Sequence, residues 1–157
     1  MADENAIVCA KNIYSDLCAT LDKRNWHYQK HDNDLVITFG ITGEDIPMEF
    51  VLAVDVDRQL LRVFSKLPFS VPEDKRMELA IASCVASNGL ADGCFNYDIV
   101  KGTIVFRLTA SFRESKLGEN LFNYLIDCSC ITVDRYNDKF LALCKGLISI
   151  NDFISQE

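Results

Sequence analysis

Between Trp26 and Phe64 the chain runs through stretches of alternating apolar and polar residues, separated by three clusters of turn residues. Period-two alternation predicts strands, and short turn signals between them predict an antiparallel meander. Asp32-Asn33 predicts a two-residue turn that sets Tyr28 opposite Ile37 and Trp26 opposite Phe39. Thr42-Gly43-Glu44-Asp45 predicts a four-residue turn pairing Ile41 with Ile46, Phe39 with Met48, Ile37 with Phe50 and Leu35 with Leu52. A turn from Asp55 to Arg58 pairs Leu52 with Leu61 and Phe50 with Val63. Each pairing keeps apolar residues on one face, and a slip of one residue would turn that whole face into water. The opposite face is mixed: His27, Gln29, His31, Thr38, Glu49 and Arg62 alternate there with Val36, Val51, Leu60 and Phe64.

The flanking segments change period. Residues 4–23 carry Ala6, Cys9, Ala10, Ile13, Tyr14, Leu17 and Leu21 at helical spacing, which predicts one amphipathic helix. Ser70-Val71-Pro72-Glu73 reads as a capping box that opens a second helix, stopped at Asn88-Gly89. A hairpin follows, with Lys101-Gly102 as its turn and Phe95, Tyr97 and Ile99 opposite Leu108, Phe106 and Ile104. Gly93 and Gly102 are expected to hold backbone conformations that glycine alone adopts easily. Asn96, Asp98, Arg107 and Thr109 fall on the polar side of this hairpin. From Gly118 to Lys145 the residues Phe122, Ile126, Ser129, Val133, Tyr136, Phe140, Leu143 and Leu147 recur with a period of about 3.5. Gly146 stops that helix, and Ser149 with Asp152 starts a last short turn. The β-branched run Ile131-Thr132-Val133 leaves open whether the long helix is bent or broken. The order is α-β-β-β-β-α-β-β-α, an α+β fold: an antiparallel sheet with helices packed mainly on one face, in a single domain over 1–157.

The length of 157 residues and 49% hydrophobic content suit one core, and the formal net charge is −7. No Lys/Arg cluster or basic stripe relieves that charge, which argues against nucleic acid and anionic membrane surfaces as partners. No segment approaches the roughly 18 consecutive apolar residues of a membrane span. Met1-Ala2-Asp3-Glu4-Asn5 does not read as a secretory leader. Seven cysteines, an odd number spread over predicted helices and one strand, predict reduced and mostly buried thiols in the cytoplasm.

Candidate chemistry is sparse. His27 and His31 share a strand face, but no third ligand is set by spacing, so they are expected to face solvent. Cys128-Ser129-Cys130 has neither zinc-knuckle nor redox spacing. Asn96, Asp98 and Arg107 form a potential polar cluster, weighed against ordinary cross-strand pairing. Asp55 and Asp57 read as turn chemistry. There is no phosphate loop, metalloprotease helix motif or nucleophile elbow, so no catalytic residue, cofactor or metal is expected. The remaining feature is a partner surface at Val36, Val51, Leu60 and Phe64, unless the C-terminal helix covers it. The long helix itself either packs on its own sheet or forms a seam between two subunits.

The middle of the chain resembles the YbjN-domain family of bacterial proteins. The matching residues are Val71-Pro72-Glu73 with Lys75-Arg76, then Asn88, Leu90, Gly93, Phe95, Asp98, Gly102, Val105 and Arg107. The meander and the Trp26 region fit too, so the resemblance runs from about Ile7 to Gly146. The family is described as sensory-transduction regulators. Its fold is similar to that of type III secretion chaperones, small acidic cytosolic dimers that bind effector polypeptides. Family membership alone implies no activity and no ligand; with the missing catalytic motifs, the leading reading is a non-enzymatic cytosolic binding protein, chaperone-like or regulatory. It would be a homodimer that docks a polypeptide on a sheet face or edge. The alternative is a small-molecule sensor with its ligand between the sheet and the long helix.

Overall fold

The computed structural model describes residues 4–157. The elements are α1 (Glu4–Lys23), β1 (Gln29–His31), β2 (Val36–Thr42), β3 (Pro47–Asp55), β4 (Leu60–Lys66), α2 (Arg76–Asn88), β5 (Cys94–Asp98), β6 (Thr103–Ser111), α3 (Glu119–Cys144) and α4 (Ile150–Ser155). The six strands form one antiparallel sheet in the order β1-β2-β3-β4-β6-β5. The element order and the antiparallel α+β architecture are those expected, with the last short turn formed as α4.

One face of the sheet is closed by helices. Ile37, Phe39, Phe50, Leu52, Val54, Leu61, Val63, Ile104, Phe106 and Leu108 point inward and are all buried. Each such side chain contributes about 1.5–3 kcal/mol when fully buried. α3 lies across β4 and β6, α1 packs against β3, and α2 flanks β5. Phe95 meets Tyr136 and Phe140 of α3 at centroid distances of 5.3 and 5.0 Å. Phe153 of α4 stacks on Phe140 at 5.5 Å.

The expected apolar face is correct in every strand, but the partners along it differ by two residues. Tyr28 does not face Ile37, since β1 pairs Lys30 with Ile37. Phe39 faces Phe50 and Ile41 faces Met48. Leu52 faces Val63 and Val54 faces Leu61. Phe95 faces Phe106 and Tyr97 faces Ile104, while Ile99 leaves the strand and is exposed. The cause lies in the loops. Residues 32–35, 56–59 and 99–102 each form a four-residue connection whose last residue, Leu35, Gln59 or Gly102, has a positive φ. The β2–β3 loop is held from outside. The Asp134 carboxylate on α3 accepts the Glu44 N–H at 3.1 Å, and a side chain at Gly43 would overlap that carboxylate.

Two helix boundaries also differ. The capping box at Ser70 does not form: a short 3₁₀ turn, Glu73–Lys75, starts after Pro72 with no side-chain cap and precedes α2, and the Val71 N–H before it donates to the Gly102 carbonyl at 2.8 Å. Gly89 ends α2 in a right-handed conformation. Gly93 and Gly102 do have the positive φ expected of them, +80° and +66°. α3 is unbroken through Ile131-Thr132-Val133, because Thr132 and Val133 are buried against the core. It ends in a Schellman motif, with the Gly146 N–H on Leu143 and the Leu147 N–H on Ala142. Leu147 therefore lies outside the apolar stripe and is exposed.

Candidate functional site

The stripe of α3 faces its own sheet, with Phe122, Ile126, Ser129, Val133, Tyr136, Phe140 and Leu143 all buried. That packing leaves neither an intersubunit seam along this stripe nor a covering for the far side of the sheet. It also fills the space between sheet and long helix with Phe95, Tyr136 and Phe140, where a small-molecule ligand was one expectation. The outer face of the sheet is consequently bare. Val36, Val51, Leu60 and Phe64 all lie on it, each half-buried by its neighbours along the sheet.

The register brings three of these four together. Val51 of β3 is directly opposite Phe64 of β4. Val36 of β2 pairs with Ala53, one step diagonal from Val51. Leu60 is separate: it faces Asp55 and Ser111, and Arg62 lies between it and Phe64. On the other side of Phe64 the register adds Val105 of β6 at a diagonal position. Sequence reasoning missed Ala53 and Val105, although both occupy outward positions of the same alternation.

Three cations border this apolar centre. Arg62 and Lys66 lie two residues before and after Phe64 on β4, and Arg107 lies directly opposite it on β6. The Arg62 guanidinium stands 4.7 Å from the centre of the Phe64 ring. Arg62 also reaches Asp55 at 3.4 Å. The Arg58 N–H, the Arg58 guanidinium and Arg62 together hold the Asp55 carboxyl below its ordinary pKa. Among the described residues neither Lys66 nor Arg107 takes part in a salt bridge.

Next to Val51 the outer face dips into a 470 Å³ depression lined by His27, Gln29, Thr38, Gly40 and Glu49. Gly40 is part of that lining and contributes no side chain. His31 stands nearby on the same face, its Nε2 3.4 Å from the Thr38 hydroxyl. Among the described residues no three His, Cys, Asp or Glu side chains group as metal ligands. β1, only three residues long and exposed throughout, is the free edge on this side of the sheet.

The other sequence candidates disperse. Asn96 pairs with Val105 rather than with Arg107, whose partner on β5 is Cys94. Asp98 instead accepts the N–H groups of Val100 and Lys101, both at 3.0 Å, and so shapes its own loop. Asp55 fills the turn role expected of it. All seven cysteines are unpaired, but only Cys18 is buried and Cys84 is exposed, so most are half-covered rather than core residues. Cys128 and Cys130 flank the buried Ser129, and burial pushes the Cys130 thiol up to about 12.

One further surface escaped the sequence reading. Met77, Ile81 and Cys84 are all exposed at helical spacing along the outward side of α2. Their spacing of four and then three residues is the sequence signal that marks it.

No family model and no curated protein matches the chain. Solved structures do. The chain is similar to a chain of the ExsC–ExsE complex at a TM-score of 0.57 and 11% identity, covering 81% of this chain and 92% of that one. It is similar to a chain of the HopA1–SchA chaperone–effector complex at 0.58 and 13%, covering 81% and 95%. It is similar to YbjN from E. coli at 0.56 and 9%, covering 80% and 92%. Identities this low establish the fold: the chain has the YbjN-like, chaperone-like α+β fold. Among the described residues no helix is long and apolar enough to cross a membrane.

Proposed function

We propose that this chain is a non-enzymatic polypeptide-binding protein, chaperone-like or regulatory, whose partner docks on the bare outer face of the sheet beside its β1 edge. The observation that carries the reading is the uncovered face. A six-stranded sheet has its helices on one side only and an apolar centre, Val36, Val51 and Phe64, left open on the other. Apolar groups gathered on an open sheet face are the usual mark of a partner surface. The fold's likeness to chains in two complexes, one of them a chaperone–effector complex, supports the same reading. An extended segment can lie along such a face or add to an exposed edge strand.

The reading includes a homodimer and a cytoplasmic location. Seven unpaired cysteines favour a reducing compartment. The exposed Met77 and Ile81 on α2 offer a second apolar surface for self-association, which leaves the sheet face to the partner.

The test is a paired capture from native lysate with the wild-type chain and a Val51→Asp variant that retains its circular dichroism. A recurrent polypeptide held by the wild type and lost by the variant is the expected result. A polypeptide held equally by both would refute the assigned face. A small molecule co-purifying with the chain and no polypeptide would refute the function.

A further inference from the structure

The charge arrangement around Phe64 says what kind of segment this face takes. The chain carries a formal net charge of −7, so its surface as a whole repels acidic polymers. The outer face departs from that average at its apolar centre. Phe64 has Arg62 and Lys66 on either side along its strand and Arg107 opposite on β6; only its β3 side is apolar, at Val51. Of the three, Arg62 is paired with Asp55, which Arg58 also engages, and Glu49 forms no salt bridge among the described residues. Lys66 and Arg107 are exposed and form no salt bridge among the described residues, at register positions beside a ring on which an apolar side chain can rest. Cations spaced around a small apolar platform complement a segment whose apolar anchor is flanked by carboxylates.

Resting on the reading of this face as a polypeptide site, we propose that the bound segment is acidic. An apolar side chain of that segment packs on Phe64 and Val51, and carboxylates on either side of it pair with Lys66 and Arg107. A nucleic-acid strand is the competing polyanion, since bases stack on exposed aromatic rings. The peptide is favoured because Phe64 is the only aromatic side chain that β2, β3, β4 and β6 present outward, and its ring is already covered on one side by Arg62.

The test uses the full chain and three fluorescein-labelled synthetic peptides of one length, each alternating Leu or Phe with Glu, Gln or Lys. The Glu peptide is expected to bind at least tenfold more tightly than the Lys peptide. Its affinity is expected to fall as salt rises from about 0.1 M to 1 M, where the screening length shrinks from about 10 Å to about 3 Å. Lys66→Gln and Arg107→Gln, both at exposed positions, are each expected to weaken the Glu peptide roughly two- to fivefold. Phe64→Ser, with its circular dichroism unchanged, is expected to abolish binding of all three. Equal binding of the Glu and Gln peptides at every salt concentration would overturn the acidic assignment and leave polypeptide docking standing. Binding of none of the three would overturn both. Tighter binding of an oligothymidylate than of the Glu peptide would give the face to a nucleic acid. Self-association abolished by Phe64→Ser would give it to a second copy.

Discussion

Gly102 and Gly146 differ in one respect that a pair of substitutions can isolate. Both have a left-handed backbone, φ +66° and +68°. An alanine at either position meets the steric penalty of that conformation, about 1–2 kcal/mol. At Gly146 nothing lies within 4 Å of the added methyl, so that penalty is the whole effect. At Gly102 the methyl would stand 2.5 Å from the Val71 carbonyl oxygen and 3.3 Å from its nitrogen. Backbone cannot rotate away as a side chain can. The loop must therefore withdraw, and the Val71 N–H to Gly102 carbonyl bond at 2.8 Å weakens with it. Losing that bond adds about 0.5–1.5 kcal/mol. Gly102→Ala is thus expected to cost about 1.5–3.5 kcal/mol against about 1–2 for Gly146→Ala, the excess of about 0.5–1.5 being that bond. Urea unfolding followed by circular dichroism, with slopes compared to check two-state behaviour, measures both. Equal losses for the two variants would refute the claim that the β5–β6 loop is locked against the lead-in to α2.

Further expectations follow from burial and titration. Phe50→Ala and Phe106→Ala, at side chains 1% and 0% exposed, should each cost about 3–5 kcal/mol in the same assay. Burial pushes Cys130 up to about 12 and Cys144 up to about 11. Burial and then the Glu157 hydrogen bond push Tyr136 up to about 12. Groups with raised pKa values favour the folded state fully below their unfolded values, 9.0 for the thiols and 10.0 for the phenol, and lose that effect as pH rises through the folded ones. Thermal stability should therefore decline as pH climbs from about 9 to about 12. A flat profile there would contradict the burial of these groups. In the native protein Cys84 should label with a thiol reagent before the other six, and all seven should label once the unreduced protein is denatured. Light scattering should find a dimer that Met77→Glu or Ile81→Glu dissolves without loss of circular dichroism; a dimer indifferent to both would move the contact away from α2.

The helices and the two faces of the sheet were legible because burial imposes a period. α1 runs over Glu4–Lys23 as its stripe implies, and the residues named for the apolar face of β2, β3, β4 and β6 lie on the inward side. Loop lengths were not legible. Leu35 and Gln59 hold left-handed backbone at φ 53° and 54° although neither residue type signals it, so turns ending before them looked adequate. The β2–β3 loop is positioned by Asp134, ninety residues further along the chain. Ser70 and Glu73 have the letters of a capping box, but the helical turn starts only at Glu73, after Pro72 and with no side-chain cap, and the lead-in at Val71 is bonded to Gly102 across a tertiary contact.

The two-residue displacement has a consequence for the site. A slip of two preserves which face every side chain occupies, so the outward residues were identified correctly while their neighbours were not. In the expected β3–β4 register Phe64 would stand opposite Glu49, and Val51 opposite Arg62. That arrangement is a sheet surface of ordinary alternating character, with each apolar group isolated beside a charge. In the observed register Val51 and Phe64 face one another, and the charges fall around them rather than between them. The apolar centre and its cationic border therefore exist because the connection runs over residues 56–59 rather than turning at Asp55 to Arg58, with Gln59 accepting a strained backbone. A Val56→Asn, Asp57→Gly pair, which favours a two-residue turn with Asp55 opposite Arg58, would leave the outer-face composition unchanged and take its arrangement apart. If docking depends on that arrangement, such a variant loses the acidic peptide while every proposed contact residue is still present on the same face.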